Sequence, residues 1–408
     1  MTDPITCLVT LHGVGFMQPP QQNVPGYADP LHEHLSEQLG SLLSDDPNRE
    51  RTHQGENGPI YVQSRWLTAN GFSSFEEGLK RLGSWSKNMR SVQTKNAPLI
   101  AGDARISHVA LVYSDLEPQG PELEATLISS AMSLFSASNY AHIAGLMHMA
   151  FSDVLAIVKD SSAANAQQPN SLHPRNDVGT RGRRMLTPKP QAQAANPYSP
   201  GLLPMLRSLE DDVACYVCHN EERECVRRFV AEALWRLASR DDVGTIVLNT
   251  HSNGTVIALD VLRGLPPFAT AKIEAFITAG SPLRKYIDFF RWGQQIELLS
   301  PIKLWYNFWD KCDPVGDPLE PPTTWHWGDI LASPYDPKLF SLIDPNSGAR
   351  SNVEVKDIPV DNVRNSTGGG LQAHNYWDNK VDFVKQLSDI LRNVVKSQEA
   401  QAAVSSKS

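Results

Sequence analysis

The sequence predicts an α/β protein with a doubly wound, mainly parallel sheet that carries one large insertion. Three observations predict it. Short apolar runs of strand length alternate with stretches of helical spacing, as successive βαβ units require. One run, TIVLN, passes almost directly into the tight segment HSNG and then into an apolar-periodic helix. Of the 408 residues, 41% are hydrophobic and 20% charged, which supplies a sizeable core and excludes a globally disordered chain.

The elements follow in order. Residues 6–11 (TCLVTL) form an apolar run ending at His12-Gly13 and read as a buried strand. Residues 29–43 place Leu31, Leu35, Leu39, Leu42 and Leu43 at helical spacing. Residues 60–66 form a strand candidate, and 106–113 (ISHVALVY) a stronger one, rich in β-branched side chains. A helical pattern runs over 209–238. The rest is the most regular part, with strands over 245–249, 273–278, 302–308 and 353–360, a helix over 255–262 and a closing helix over 377–395. The sheet-bearing core is thus expected in 1–114 and 209–396, with a disordered tail over 397–408.

Between the two core segments lies an insertion, 115–208. From Thr126 to Ser152 it holds no Asp, Glu, Lys or Arg. That length suffices to cross a bilayer, but several Ser residues, Asn139, His142 and His148 disfavour a full span. Three readings stay open: a helix packed on the core, a mobile lid over a site, or a surface that touches membrane. After it, 161–204 is rich in Ala, Gln, Asn, Pro and Ser and reads as a flexible linker. Its Arg181, Arg183 and Arg184 are suited to anionic headgroups, so peripheral membrane contact is expected through 123–190. The net charge of −8 argues against a nucleic-acid partner, because phosphate binding needs a basic face. Five cysteines cannot frame the fold with disulfides, and the first residues lack a secretory pattern, so cytoplasmic residence is expected.

The sharpest local signal is LNTHSNGTVIALDVL. A tight strand-to-helix turn lifts a serine hydroxyl above the sheet edge, where the helix N-terminus faces developing negative charge. Ser252 is therefore the candidate nucleophile. The bland alternative is a turn in which Ser252 only caps the helix. Acyl transfer also needs an imidazole, an orienting carboxylate and two oxyanion donors, each just after a strand. His374, in GGGLQAHNYWDN, is the candidate base. Asp313, held extended by the proline after it, is the favoured acid, with Asp310 and Asp317 as rivals. The expected oxyanion donors are the N–H groups of Asn253 and Val14, with Gly13 as the alternative to Val14.

The segments LVTLHGVG, VLNTHSNGTVIALDVL, FITAGSPL, LWYNFWDKCDPVGD and AHNYWDN together resemble the α/β-hydrolase superfamily, in its lipase and esterase branch. HSNGTVIALDVL is similar to the elbow of bacterial lipase-like hydrolases and of intracellular phospholipases of the DDHD type. The resemblance covers 1–20 and about 209–396. It implies Ser252 as nucleophile, His374 as base, Asp313 as acid, and Val14 and Asn253 as oxyanion donors. The chain departs from the family pattern at Thr250, which replaces the first glycine of G-x-S-x-G, and at Asn253, where Leu, Met or Gln is more usual.

Other motifs carry less. Cys215-Tyr216-Val217-Cys218-His219 has the spacing of a haem c attachment site but lies inside a helical pattern, without an export signal. No second ligand pair follows it at zinc-finger spacing. His32 and His34 point to different faces of their helix. The expected function is serine hydrolysis of carboxylic esters, with a small-molecule or lipid ester as substrate and no metal or organic cofactor. Acyl transfer or thioester hydrolysis on the same triad, and a non-catalytic binding role, are the alternatives.

Overall fold

The computed structural model describes residues 4–13, 25–47, 57–63, 98–113, 220–284, 296–298, 301–313, 315–320, 340–344, 347–366 and 372–405. Strand β1 (Ile5–Leu11) is buried along its whole length, as is β4 (Ile106–Val112), and β1 pairs in parallel with β4 on one side and with β5 (Val243–His251) on the other. A strand covered on both faces has no solvent side to alternate towards, which is why these segments read as continuous apolar runs.

The full order is β11-β8-β6-β5-β1-β4-β2, with β6 at Ile273–Ala279, β8 at Leu304–Trp309, β11 at Lys356–Pro359 and β2 at Leu43–Ser44. Strand β3 (Ile60–Gln63) also lies along β4, further up its length, and every pairing in this sheet is parallel. From the central pair β1 and β5 the chain winds outward in opposite directions. β1 leads through helix α1 (Asp29–Leu39) to the β4 side, and β5 leads through α3 (Asn253–Gly264) to β6. Right-handed crossovers then put α1 and α3 on opposite faces, so the sheet is doubly wound. Consistent with that, α1 packs with α4 (Lys385–Ser405), and α3 with α2 (Asn220–Ala238). Helix α3 is buried on all sides from Asn253 to Leu262, and its Asp260 is held by Arg227 of α2, Nε to Oδ2 at 3.0 Å.

Several sequence expectations change. The first helix ends at Leu39, not 43, because Gly40 turns the chain at φ +56° and Leu43 then pairs with Ile106 as part of β2. The closing helix does not fray after 396. It runs to Ser405, because Gln398 accepts from Thr6 Oγ1 (2.9 Å) and Thr245 Oγ1 (3.2 Å) and donates to the Pro4 carbonyl (2.8 Å). Those bonds tie the helix to the amino-terminal edge of β1 and β5. Its entry is a π-helical turn at Lys380–Val384 rather than α-helix from 377. A small second sheet, β7 (Ile296–Leu298), β9 (Phe340–Ile343) and β10 (Arg350–Asn352), was not expected. Its three- and four-residue strands are too short to show a period.

The insertion 115–208, its uncharged run, the motif at 215–219, residues 64–66 and the first part of the expected 209–238 helix lie outside the described residues. Among the described residues, no helix is long and apolar enough to cross a membrane.

Candidate active site

The carboxyl ends of β1, β5, β6 and β8 meet where the winding reverses, the place at which open α/β sheets hold ligands. Ser252 sits between β5 and α3 at φ 54°, ψ −134°, the only non-glycine residue with positive φ among those described. Such a backbone costs on the order of 1–3 kcal/mol and persists only when its surroundings over-determine it. They do so here. The Ser252 N–H donates to the Ala279 carbonyl at 2.9 Å, and the Ser252 carbonyl accepts from the Thr255 N–H at 3.0 Å and Thr255 Oγ1 at 2.7 Å. The Ser252 side chain makes no capping bond to α3, which removes the capping alternative.

Two glycines allow the elbow to close. A Cβ on Gly254 would lie 2.7 Å from the carbonyl oxygens of both Leu11 and His12, and a Cβ on Gly13 would lie 2.9 Å from Ser252 Cβ, 3.0 Å from Asn253 N and 3.1 Å from Ser252 Oγ. Gly13 therefore brings the loop after β1 into contact with the serine and the Asn253 amide. Val14, the next residue, lies outside the described residues. Thr250 fits where a glycine is usual because its hydroxyl donates to the Ile277 carbonyl on β6, at 2.8 Å.

On the far side of β6, His374 Nδ1 lies 3.0 and 2.9 Å from the two carboxylate oxygens of Asp313. Asp313 also accepts from the Val315 N–H (2.9 Å) and the Tyr376 hydroxyl (2.8 Å). Burial pushes the Asp313 carboxyl up, but the charge and hydrogen bond of His374, with those two donors, outweigh it and hold the group below its ordinary value. The Nε2 edge of His374 is buried and makes no hydrogen bond among the described residues. Gly280 (φ +57°) forms the floor under this pair, since a Cβ there would lie 2.7 Å from His374 Cε1.

The rival carboxylate of Asp310 is occupied otherwise. Asp310 accepts from the N–H groups of Cys312 (2.7 Å) and Asn362 (2.5 Å), and burial raises its carboxyl despite them. Its task is to shape the loop. The backbone N–H of Asp317 donates to the Ser281 carbonyl at 3.1 Å. His32 turns inward to Asp45 and His108, at 2.9 and 3.1 Å, while His34 lies 3.7 Å from Asp378, so the two diverge as their spacing requires. Among the described residues no cluster of His, Cys, Asp or Glu is placed to hold a metal ion.

Sequence reasoning missed Tyr376, Gly280, His12 and His251. Tyr376 accepts from the Asp310 N–H at 2.9 Å while donating to Asp313, so it links the two acidic positions of one loop. Its only sequence signal was proximity to His374. His251 and His12 directly precede Ser252 and Gly13, and nothing in their spacing revealed that their rings meet. The chain matches no protein-family model, no curated protein and no solved structure.

Proposed function

We propose that the chain is a serine hydrolase of carboxylic esters, built on an α/β-hydrolase core of the lipase and esterase type. The observation that carries this reading is the Asp313–His374 pair, with the opposite imidazole edge buried and unbonded at the sheet edge that presents Ser252. A carboxylate on Nδ1 fixes the imidazole as the tautomer whose Nε2 is bare, and stabilises the imidazolium that forms when it takes a proton. In this mechanism His374 takes the Ser252 proton and Oγ attacks the ester carbonyl. The oxyanion is bound by the Asn253 N–H and the Gly13–Val14 backbone. His374 then protonates the leaving alcohol, and the acyl-enzyme is released by water activated at the same nitrogen. These steps require no metal or organic cofactor.

The substrate is a small-molecule or lipid ester. The insertion 115–208 enters after β4 and before α2, a position from which it would cap the acyl pocket and contact anionic membrane, with the enzyme resident in the cytoplasm. A fluorophosphonate probe tests the central claim. Wild-type protein is labelled at Ser252, and Ser252→Ala is neither labelled nor active on 4-nitrophenyl esters. Unlabelled wild type, or full turnover by Ser252→Ala, would leave a binding role as the better account. A 4-nitrophenyl ester series of increasing chain length tests the cap. Turnover that rises with chain length and with anionic vesicles is expected, and a short-chain optimum indifferent to vesicles excludes lipid contact.

A further inference from the structure

We propose that His251 is a positioning residue for the His374 base and acts on that histidine's own backbone carbonyl. The inference rests on the hydrolase reading above. His251 Nε2 lies 2.8 Å from the His374 carbonyl oxygen. A carbonyl only accepts, so Nε2 carries the hydrogen. Burial holds the His251 ring neutral, its pKa well below the ordinary value, and a neutral imidazole has one donor. Its Nδ1 is therefore bare, and lies 3.1 Å from His12 Nε2. His12 Nδ1 faces the Gly13 carbonyl at 3.0 Å, and burial keeps that ring neutral, so its one hydrogen lies on Nδ1 and the His374 carbonyl is what fixes the His251 tautomer.

The arrangement answers a mechanical need. His374 rides on a single 3-10 turn, Gln372–His374, which has no long element to hold it. Two side chains grip that turn by its carbonyls: Asn362 Nδ2 donates to Ala373 at 2.7 Å, and His251 donates to His374. The rings also stack the loops together. The centroids of His12 and His251 are 4.6 Å apart, those of His251 and His374 are 4.5 Å apart, and Trp377 packs edge-on against His12 at 4.9 Å. The pair so joins the loop after β1, the elbow serine and the base, three segments far apart in the chain. A base displaced by about 1 Å loses roughly 100-fold in rate.

The test uses the full chain and 4-nitrophenyl butyrate. His251→Leu fills the volume without a donor and is expected to lower kcat about 10- to 100-fold, with KM within about twofold. His251→Gln keeps an amide N–H near the Nε2 position and is expected to restore kcat to within about threefold of wild type. Independently of activity, NMR of protein carrying 15N-histidine should show His251 as the Nε2–H tautomer. Equal kcat in wild type and His251→Leu, a Gln variant as impaired as Leu, or an Nδ1–H tautomer in wild type overturns the inference. If His251→Leu fails to fold, His251→Gln and the wild-type NMR still decide it. If the wild type itself neither labels at Ser252 nor turns over ester, the hydrolase reading fails, and the tautomer measurement still judges the hydrogen bond separately.

Discussion

At the residue scale, the competition between Asp313 and Asp310 is settled by who meets whom. Asp313 spends both oxygens on His374 and takes two further donors, whereas Asp310 is filled by backbone N–H groups of its own neighbourhood. On the hydrolase reading, Asp313→Asn presents an amide to Nδ1, favours the wrong tautomer, and lowers kcat about 10³- to 10⁴-fold. Asp310→Asn should act mainly on stability. Steady-state kinetics on both variants checks this, and a larger loss in Asp310→Asn would reverse the assignment. Because the folded Asp313 pKa is depressed, its stabilising contribution is present above the ordinary carboxylate value. It is lost as pH falls through the folded value.

At the element scale, two contacts are decided by glycine or by a single side chain. Gly13→Ala drives a methyl to 2.9 Å from Ser252 Cβ and 3.1 Å from Oγ, so the loop after β1 has to retreat from the elbow. On the hydrolase reading, the expected result is a folded protein, by circular dichroism, with probe labelling slowed at least about tenfold, because oxyanion donors act only at hydrogen-bond distance. At the other edge of the sheet, Gln398 clamps α4 to β1 and β5, and Gly244 leaves it room, since a Cβ there would collide with Gln398 Nε2. Truncation after residue 396 removes this clamp and should lower stability by about 1–3 kcal/mol, read as a fall in the urea midpoint. The strands and α3 were legible in sequence because each is a continuous apolar run or a clear helical period. The clamp was not, because a polar glutamine in a tail composed like a linker announces nothing about a partner 392 residues away.

At the scale of the whole molecule, the sheet buries imidazoles that must stay neutral. Burial lowers His12 to about 4 and holds His108 and His251 well below 6.5. Unfolded histidines take up protons near pH 6.5, while the folded ones resist, so the unfolded state binds more protons and stability falls as pH drops from 7 towards 5. For His12 the difference is roughly 2 kcal/mol at pH 5. Asp310 and Asp357, raised by burial, work in the opposite sense. The histidine part is isolated by urea unfolding of His108→Gln, whose stability should depend less steeply on pH than that of wild type.

The sequence by itself determined the parallel, apolar-stranded sheet, the turn at Ser252 and the identity of the candidate groups Ser252, Asp313 and His374. Those properties are local: a strand covered on both faces is apolar along its length, and a tight strand-to-helix turn needs small residues at adjacent positions. Only the tertiary structure decided that Asp313 rather than Asp310 meets His374, that Tyr376 bonds both acidic positions, and that His12 and His251 join ring to ring. Those contacts span 61 to 239 residues of chain. They exist because the parallel register aligns Leu11 with Thr250 and Thr250 with Thr278, so the residues after each strand emerge side by side at one edge.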